Sequence, residues 1–426
     1  MKASSALAPA LRDAARMIAR VAAGRSLADE FPSERARAAD ASRAALIDLT
    51  HGTLRRYGRV QAIVRALSTR ERQDEQVEAL LWCSVYALES GRYAEYTVVD
   101  QAVRACTLLE KWRAKSYVNG LLRSYLRGRA SIEARIGADP EARYQHPGWW
   151  IEALRVAYPG EWESALAHGN AMPPMSLRVN RRRLARDQYL ARLAEAGIAG
   201  RGVGADGVLL EQPRPVDRIP GFAEGQVSVQ DAGAQRAAHC LDLSAGQRVL
   251  DACAAPGGKS AHILELADIA LTTLDVDAAR CARIDGNLRR LGLAAAANRQ
   301  ADASRLEDWW DGTPFDRILA DVPCTASGVA RRHPDLKWLR RAGDGARFAL
   351  RQAAMLDALW RALRPGGKLL YVTCSVFPQE NDAVVDAFVA RAAGASRLAL
   401  PDAGPARSLP SAEHDGFFFA LIQRQA

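Results

Sequence analysis

The chain has 426 residues, of which 49% are apolar and 25% charged, with a formal net charge of +9. It is longer than a single hydrophobic core organises, so two or three domains are expected. No run of about 18 apolar residues is present, which excludes a membrane-spanning helix. Seven cysteines between Cys83 and Cys374, without paired CxxC spacing, argue against a disulfide framework and against a metal site. The first ten residues lack the charged, apolar and cleavage regions of a signal peptide, so a cytoplasmic protein without a membrane association is expected.

Residues 1–139 carry seven more Lys/Arg than Asp/Glu. That excess suits a polyanionic partner such as nucleic acid, and suits a solvated helical surface equally well. Leu11, Ala15, Ile18 and Val21, and later Leu121, Leu122, Tyr125 and Leu126, recur at three- and four-residue steps. This predicts an all-helical domain. Arg55, Arg56, Lys111, Lys115, Arg123 and Arg127 fall on the opposite faces, where phosphate or water would meet them.

Residues 140–222 are punctuated by Pro and Gly, with HPGWW at 146–150, MPPM at 172–175 and a basic cluster at Arg178, Arg181, Arg182 and Arg183. The order loosens here. A strand at Ser176–Val179 and a helix through Leu190 and Leu193 predict a small α/β connecting domain, and Trp149 and Trp150 are read as packing residues.

Residues 223–426 change rhythm to strand, turn, helix. Strands are predicted at Arg248–Ala252, Ala270–Leu274, Arg317–Ala320 and Leu369–Val372, with helices at Ala278–Leu291 and Arg351–Leu363 and a last strand, Gly416–Ile422, closing the sheet. This alternation predicts a doubly wound, mostly parallel, Rossmann-like sheet whose ligands bind beyond the carboxyl ends of the strands. LDACAAPGGKS at 250–260 places a glycine-rich turn directly after the first strand. It is not a Walker A loop, since Cys253 stands where the first glycine belongs, and it lacks G-x-G-x-x-G spacing. What remains is a turn of small residues that admits a ligand to the backbone. Asp275, 24 residues after Asp251, and Asp302, after a third strand, suit the ribose and the adenine edge of an adenosine.

CAAPGGK resembles the S-adenosylmethionine loop of the RNA cytosine-5 methyltransferases. ARRHPDLKWLRR at 330–341 is similar to a segment of the bacterial ribosomal small-subunit RNA methyltransferase B family, and the amino-terminal helices look like the antitermination factor NusB. The resemblance implies a class I methyltransferase domain behind a NusB-like RNA-binding domain, with S-adenosylmethionine contacts at Cys253, Ala254, Ala255, Pro256, Gly257, Gly258, Lys259, Asp275, Asp302 and Asp321. DVPC at 321–324 and TCS at 373–375 each follow a strand. In the RNA enzymes the cysteine of TCS attacks carbon 6 of cytosine, because carbon 5 alone is a poor nucleophile. The resemblance therefore makes Cys374 the nucleophile, Cys324 the group assisting proton removal and product release, and Asp321 the contact to the cytosine N3 edge. Lys259 is assigned a positive potential favouring the Cys374 thiolate, and His333 a structural place.

The expected product is 5-methylcytidine in small-subunit (16S) ribosomal RNA, made by a monomer. The alternatives are a tRNA or large-subunit RNA enzyme, a DNA cytosine methyltransferase, and a non-catalytic antitermination-like RNA-binding factor. Val322 and TASG at 325–328 depart from the commoner family pattern, which leaves substrate geometry open.

Overall fold

The computed structural model describes residues 7–68 and 74–426. The opening residues 1–6, on which the reading against a signal peptide partly rests, lie outside the described residues. Among the described residues no helix is long and apolar enough to cross a membrane. The chain forms two compact units, one running to Asn170 and joined by Ala330–Ala342, the other made of Ala171–Val329 and Gly343–Ala426.

The first unit is all helical. Leu7–Ala22 buries Leu7, Leu11, Ala14, Ala15 and Ile18 along one stripe against Asp40–Arg55 and Glu75–Ser90. Glu75–Ser90 is apolar nearly all round and buries Val77 and the run Ala79 to Leu88, so it forms the centre. Asp74 caps its first turn and Gly91, at φ 66°, ends it.

The loosely ordered reading of 140–170 is corrected: the stretch forms three short helices, Pro140–Tyr144, Gly148–Ala157 and Trp162–Asn170. Helices of five to ten residues hold too few apolar repeats to show a period. Their signal is instead Asp139 capping a helix that starts on Pro140. Trp150 packs fully buried there, with Trp149 against it.

Ala330–Ala342 threads into this unit. Its Lys337 is fully buried and donates to the carbonyls of Arg55 and Gln145 and to Oδ1 of Asn170, at 3.1, 2.9 and 2.6 Å. Asp335 accepts from the Leu27 amide, the Trp338 indole donates to the Leu54 carbonyl, and Arg55 donates to the Arg331 carbonyl.

The second unit holds two sheets. The smaller has strands β1 (Met175–Val179), β2 (Gly200–Val203), β3 (Gly207–Leu210) and β4 (Val227–Val229) in antiparallel order β2-β3-β1-β4. Helix Arg186–Glu195 buries Tyr189 and Leu193 against it. The larger has β5 (Arg248–Asp251), β6 (Ala270–Asp275), β7 (Ala297–Gln300), β8 (Phe315–Asp321), β9 (Leu363–Thr373), β10 (Ala395–Leu398), β11 (Arg407–Ser408) and β12 (Phe417–Arg424). Its order is β10-β12-β9-β8-β5-β6-β7, with β11 on β12.

From β9 to β7 the pairing is parallel. The predicted doubly wound sheet is present, and its order reverses between β5 and β8. The last strand is present too, but it lies antiparallel between β9 and β10 and does not form the edge. β12 is buried from Phe417 to Ile422, as a strand inside the sheet requires.

Candidate active site

The site lies along the carboxyl edge where β5 and β8 run side by side. β5 ends at Asp251, and a turn of small residues leads into helix Gly258–Leu266. Gly257 adopts φ 95°, and a Cβ there would come within 3.2 Å of Ile284, so this position of the turn needs glycine.

Asp251 accepts from Ser260 Oγ at 2.6 Å, while its Oδ1 is buried with no partner. Burial, with the Asp321 charge behind it, pushes its carboxyl up to about 7. Asp275, buried at the end of β6, receives the Ala255 amide at 3.3 Å and so faces the turn. Asp302 follows β7 but is exposed and turned onto its own loop, accepting from the amide and hydroxyl of Ser304. The structure thus gathers the 253–259 turn, Asp275 and Asp321, with Asp302 at the rim.

Lys259, in the first turn of the helix, lies 2.6 Å from Asp321 at the end of β8. Burial opposes its charge, but Asp321, with Cys374 and Asp251 adding to it, raises its pKa above the ordinary lysine value. Cys324 and Cys374 leave the ends of β8 and β9, and their sulfurs stand 3.4 Å apart. Cys324 is buried and Cys374 half-buried. The contact with Cys374, and then burial, hold the Cys324 thiol protonated well above the usual thiol range. Cys253 is held protonated as well, by burial first and then by Asp321, Asp251 and Asp275.

The departures find places here. Val322 joins the core beneath the sheet, and its amide bonds the Val372 carbonyl. Ala326 takes φ 59°, a turn that puts the Ser327 hydroxyl 3.1 Å from that of Ser375.

Sequence reading missed two groups. Glu380 and Asn381, fully buried, bind the residues beside both cysteines. An acid–amide pair six residues after Cys374 could have flagged them. Arg178 belongs to the basic cluster but is fully buried: it pairs with Glu265 through two bonds of 2.7 and 2.8 Å and donates to the Gly258 carbonyl at 2.7 Å. It ties β1 to the helix that carries Lys259.

Asp206 Oδ2 meets His239 and His262 Nε2 at 2.7 and 3.0 Å. Metal ligation through Nε2 would put a hydrogen on His262 Nδ1, which is buried without an acceptor. Burial pushes His262 down to about 3, which suits a neutral His262 donating its Nε2–H to the Asp206 carboxylate.

Three family models match successive parts of the chain: NusB family over 9–127, the ferredoxin-like domain of RsmF/B-like methyltransferases over 146–217, and 16S rRNA methyltransferase RsmB/F over 238–423. Ribosomal RNA small subunit methyltransferase B of Pseudomonas syringae pv. tomato is 42% identical over 96% of this chain and 95% of its own length. The protein of that name from Pseudomonas putida is 43% identical over 96% and 97%. A solved methyltransferase homologue from Pyrococcus horikoshii, 25% identical, covers 67% of this chain and 98% of its own with a TM-score of 0.58.

Proposed function

Because the chain belongs to the ribosomal RNA small subunit methyltransferase B family, we propose that it transfers a methyl group from S-adenosylmethionine to carbon 5 of a cytidine in small-subunit ribosomal RNA, through a covalent Cys374 adduct. The observation that carries the reading is the pair of thiols in contact at adjacent strand ends, beside the Lys259–Asp321 ion pair.

The donor set suits the cofactor. Cys253, Ala254, Ala255, Pro256, Gly257 and Gly258 form the close turn, Lys259, Asp275 and Asp321 flank it, and Asp302 stands at the rim. The unpartnered, buried Asp251 Oδ1 is an acceptor still open to a ligand N–H or O–H. S-adenosylmethionine, when bound, supplies an electrophilic methyl group on a sulfonium.

The chain's own residues do the rest. Cys374 adds to carbon 6 of an unstacked cytosine, and electron density moves to carbon 5. Asp321 relays a proton from the Lys259 ammonium, 2.6 Å behind it, to N3, where negative charge develops. Cys324, its own proton lost to water once the adduct has formed, then takes the carbon 5 proton as a thiolate and becomes the thiol again. The largest influence keeping its thiol protonated is the contact with Cys374, and that contact loses its force once the Cys374 sulfur is bonded to carbon. Loss of the proton expels Cys374 and releases the product. The helical part, 1–139, is assigned to RNA binding, 140–222 to a connecting domain and 223–426 to catalysis, a division supported by the extents of the three matches.

The test is transfer of tritium from labelled S-adenosylmethionine to ribosomal RNA, with gel analysis of protein–RNA adducts. Wild type transfers, Cys374→Ser neither transfers nor forms an adduct, and Cys324→Ser accumulates the adduct. The reverse assignment of the two cysteines would mark DNA-type chemistry. No transfer by wild type to naked RNA or subunits would favour a binding protein.

A further inference from the structure

The two thiols sit on separate turns, and contact between them requires both turns to be held to one reference. Three of the four residues that flank the cysteines are bonded to the same buried segment, and the fourth, Pro323, reaches it through Gln352. On the Cys324 side, the Thr325 amide donates to Glu380 Oε1 at 2.8 Å and its hydroxyl to Oε2 at 2.6 Å. The preceding Pro323 carbonyl accepts from Gln352, which also donates to Glu380. On the Cys374 side, Ser375 Oγ donates to the same Oε2 at 2.6 Å. The Thr373 hydroxyl donates to Asn381 Oδ1 at 2.6 Å, and Asn381 Nδ2 returns a bond to the Ser375 carbonyl at 2.9 Å. Tyr371, on β9 itself, donates to the Glu380 carbonyl at 2.6 Å.

Four donors converge on one carboxylate that has no basic partner among them. A carboxylate is acceptor-only, so it can take them all without a competing donor. Such an enclosed, satisfied network resists displacement, since any shift leaves a buried group unpaired.

We propose that Glu380 and Asn381 are positioning residues: together they form a single anchor for both cysteine turns and so set the separation of the Cys324 and Cys374 sulfurs. The inference rests on the methyl-transfer reading for its consequence, because the handover from one sulfur to the other needs both within reach of the same base. The anchoring itself does not depend on it.

The experiment uses the full chain. Diamide takes two electrons and two protons from a thiol pair, leaving an S–S bond and the reduced hydrazine, so the rate of Cys324–Cys374 closure, read by mass spectrometry, reports how well the sulfurs are placed. In Glu380→Ala, closure and kcat each fall at least about tenfold while KM for RNA stays within about threefold. Glu380→Gln restores both to within about threefold of wild type, because its carbonyl serves the Thr325 amide and its amide donates to hydroxyls that turn round.

Closure and kcat within about twofold of wild type in a folded Glu380→Ala protein would overturn the proposal. So would a Gln variant no better than Ala. If Glu380→Ala does not fold, the Thr325→Val, Ser375→Ala pair removes the hydroxyl arms and leaves the carboxylate, and unchanged closure there is equally fatal. Methyl transfer surviving in Cys374→Ser is a separate outcome: it defeats the proposed chemistry and leaves the anchor standing.

Discussion

Arg178 and Lys337 are both fully buried cations, one in each compact unit, and they are held by opposite means. Arg178 presents a planar fork that two Glu265 oxygens match, with Gln230 and the Gly258 carbonyl on its other arm. Lys337 has no carboxylate in its bonds and places its donors on three neutral oxygens, while burial, and then Arg55, push its pKa well below the ordinary lysine value. The guanidinium suits a flat bidentate anion, and the ammonium suits acceptors spread around a point. Both cations lie in stretches rich enough in arginine to invite a phosphate-binding reading, yet each is closed within the protein. Basic composition therefore says less about an RNA surface than it first suggests: Lys111 is likewise paired with Asp74, and Arg59 with Glu89 and Glu133.

The comparison predicts unequal penalties. Arg178→Ala leaves Glu265 buried without its partner and should cost about 3–5 kcal/mol in denaturant unfolding. That deficit should shrink in acid, where Glu265, whose pKa burial already raises, can take a proton. Lys337→Ala leaves only neutral acceptors and removes an amine whose charge burial disfavours, so about 1–3 kcal/mol is expected. Equal losses in the two variants would break the distinction between fork and point.

Lys259 sharpens the contrast, as a cation proposed to act on a reactive group. Its replacement by Ala should slow methyl transfer about tenfold to a hundredfold and move the rate-versus-pH profile to higher pH, while leaving the melting temperature little changed. An unaltered profile would remove its assigned role.

The pH dependence concerns Asp251, a buried carboxyl without full partners. Its folded-state value of about 7 lies above that of an unfolded carboxyl, so the native state binds more protons between about pH 4 and 7. The Asp251 contribution to stability should therefore fall as pH rises through that window, while His262, pushed down to about 3, contributes the opposite trend, so the stability difference between wild type and Asp251→Asn should shrink with rising pH in melts across it. A difference between wild type and Asp251→Asn that does not change with pH there would contradict the buried, unpaired oxygen.

The parts of the site that lie within a few residues of each other were legible. The 253–259 turn needs small residues in unbroken order, and each cysteine stands directly beyond a strand, so local pattern was enough to place them. Asp302 was legible as an acidic group after a strand, while its outward turn onto Ser304 follows from a loop conformation no pattern records. Glu380, Asn381 and the burial of Arg178 were not read: Glu380 acts on Thr325, 55 residues away, and Arg178 on Glu265, 87 residues away, while Asn381 reaches Thr373 and Ser375 through a loop conformation no pattern records.

By itself the sequence determined the kind of each layer, because apolar periods of 3.6 and 2 mark helix and strand regardless of what they pack against. It also determined the chemistry on offer, since thiols, carboxylates and a glycine turn are properties of single residues and short runs. Only the tertiary structure decided which sulfur stands half-open, which carboxylate meets Lys259, and which of many cations are sealed inside. Those outcomes depend on distance and burial, and a chain closing over itself sets both at once for residues that know nothing of each other in sequence.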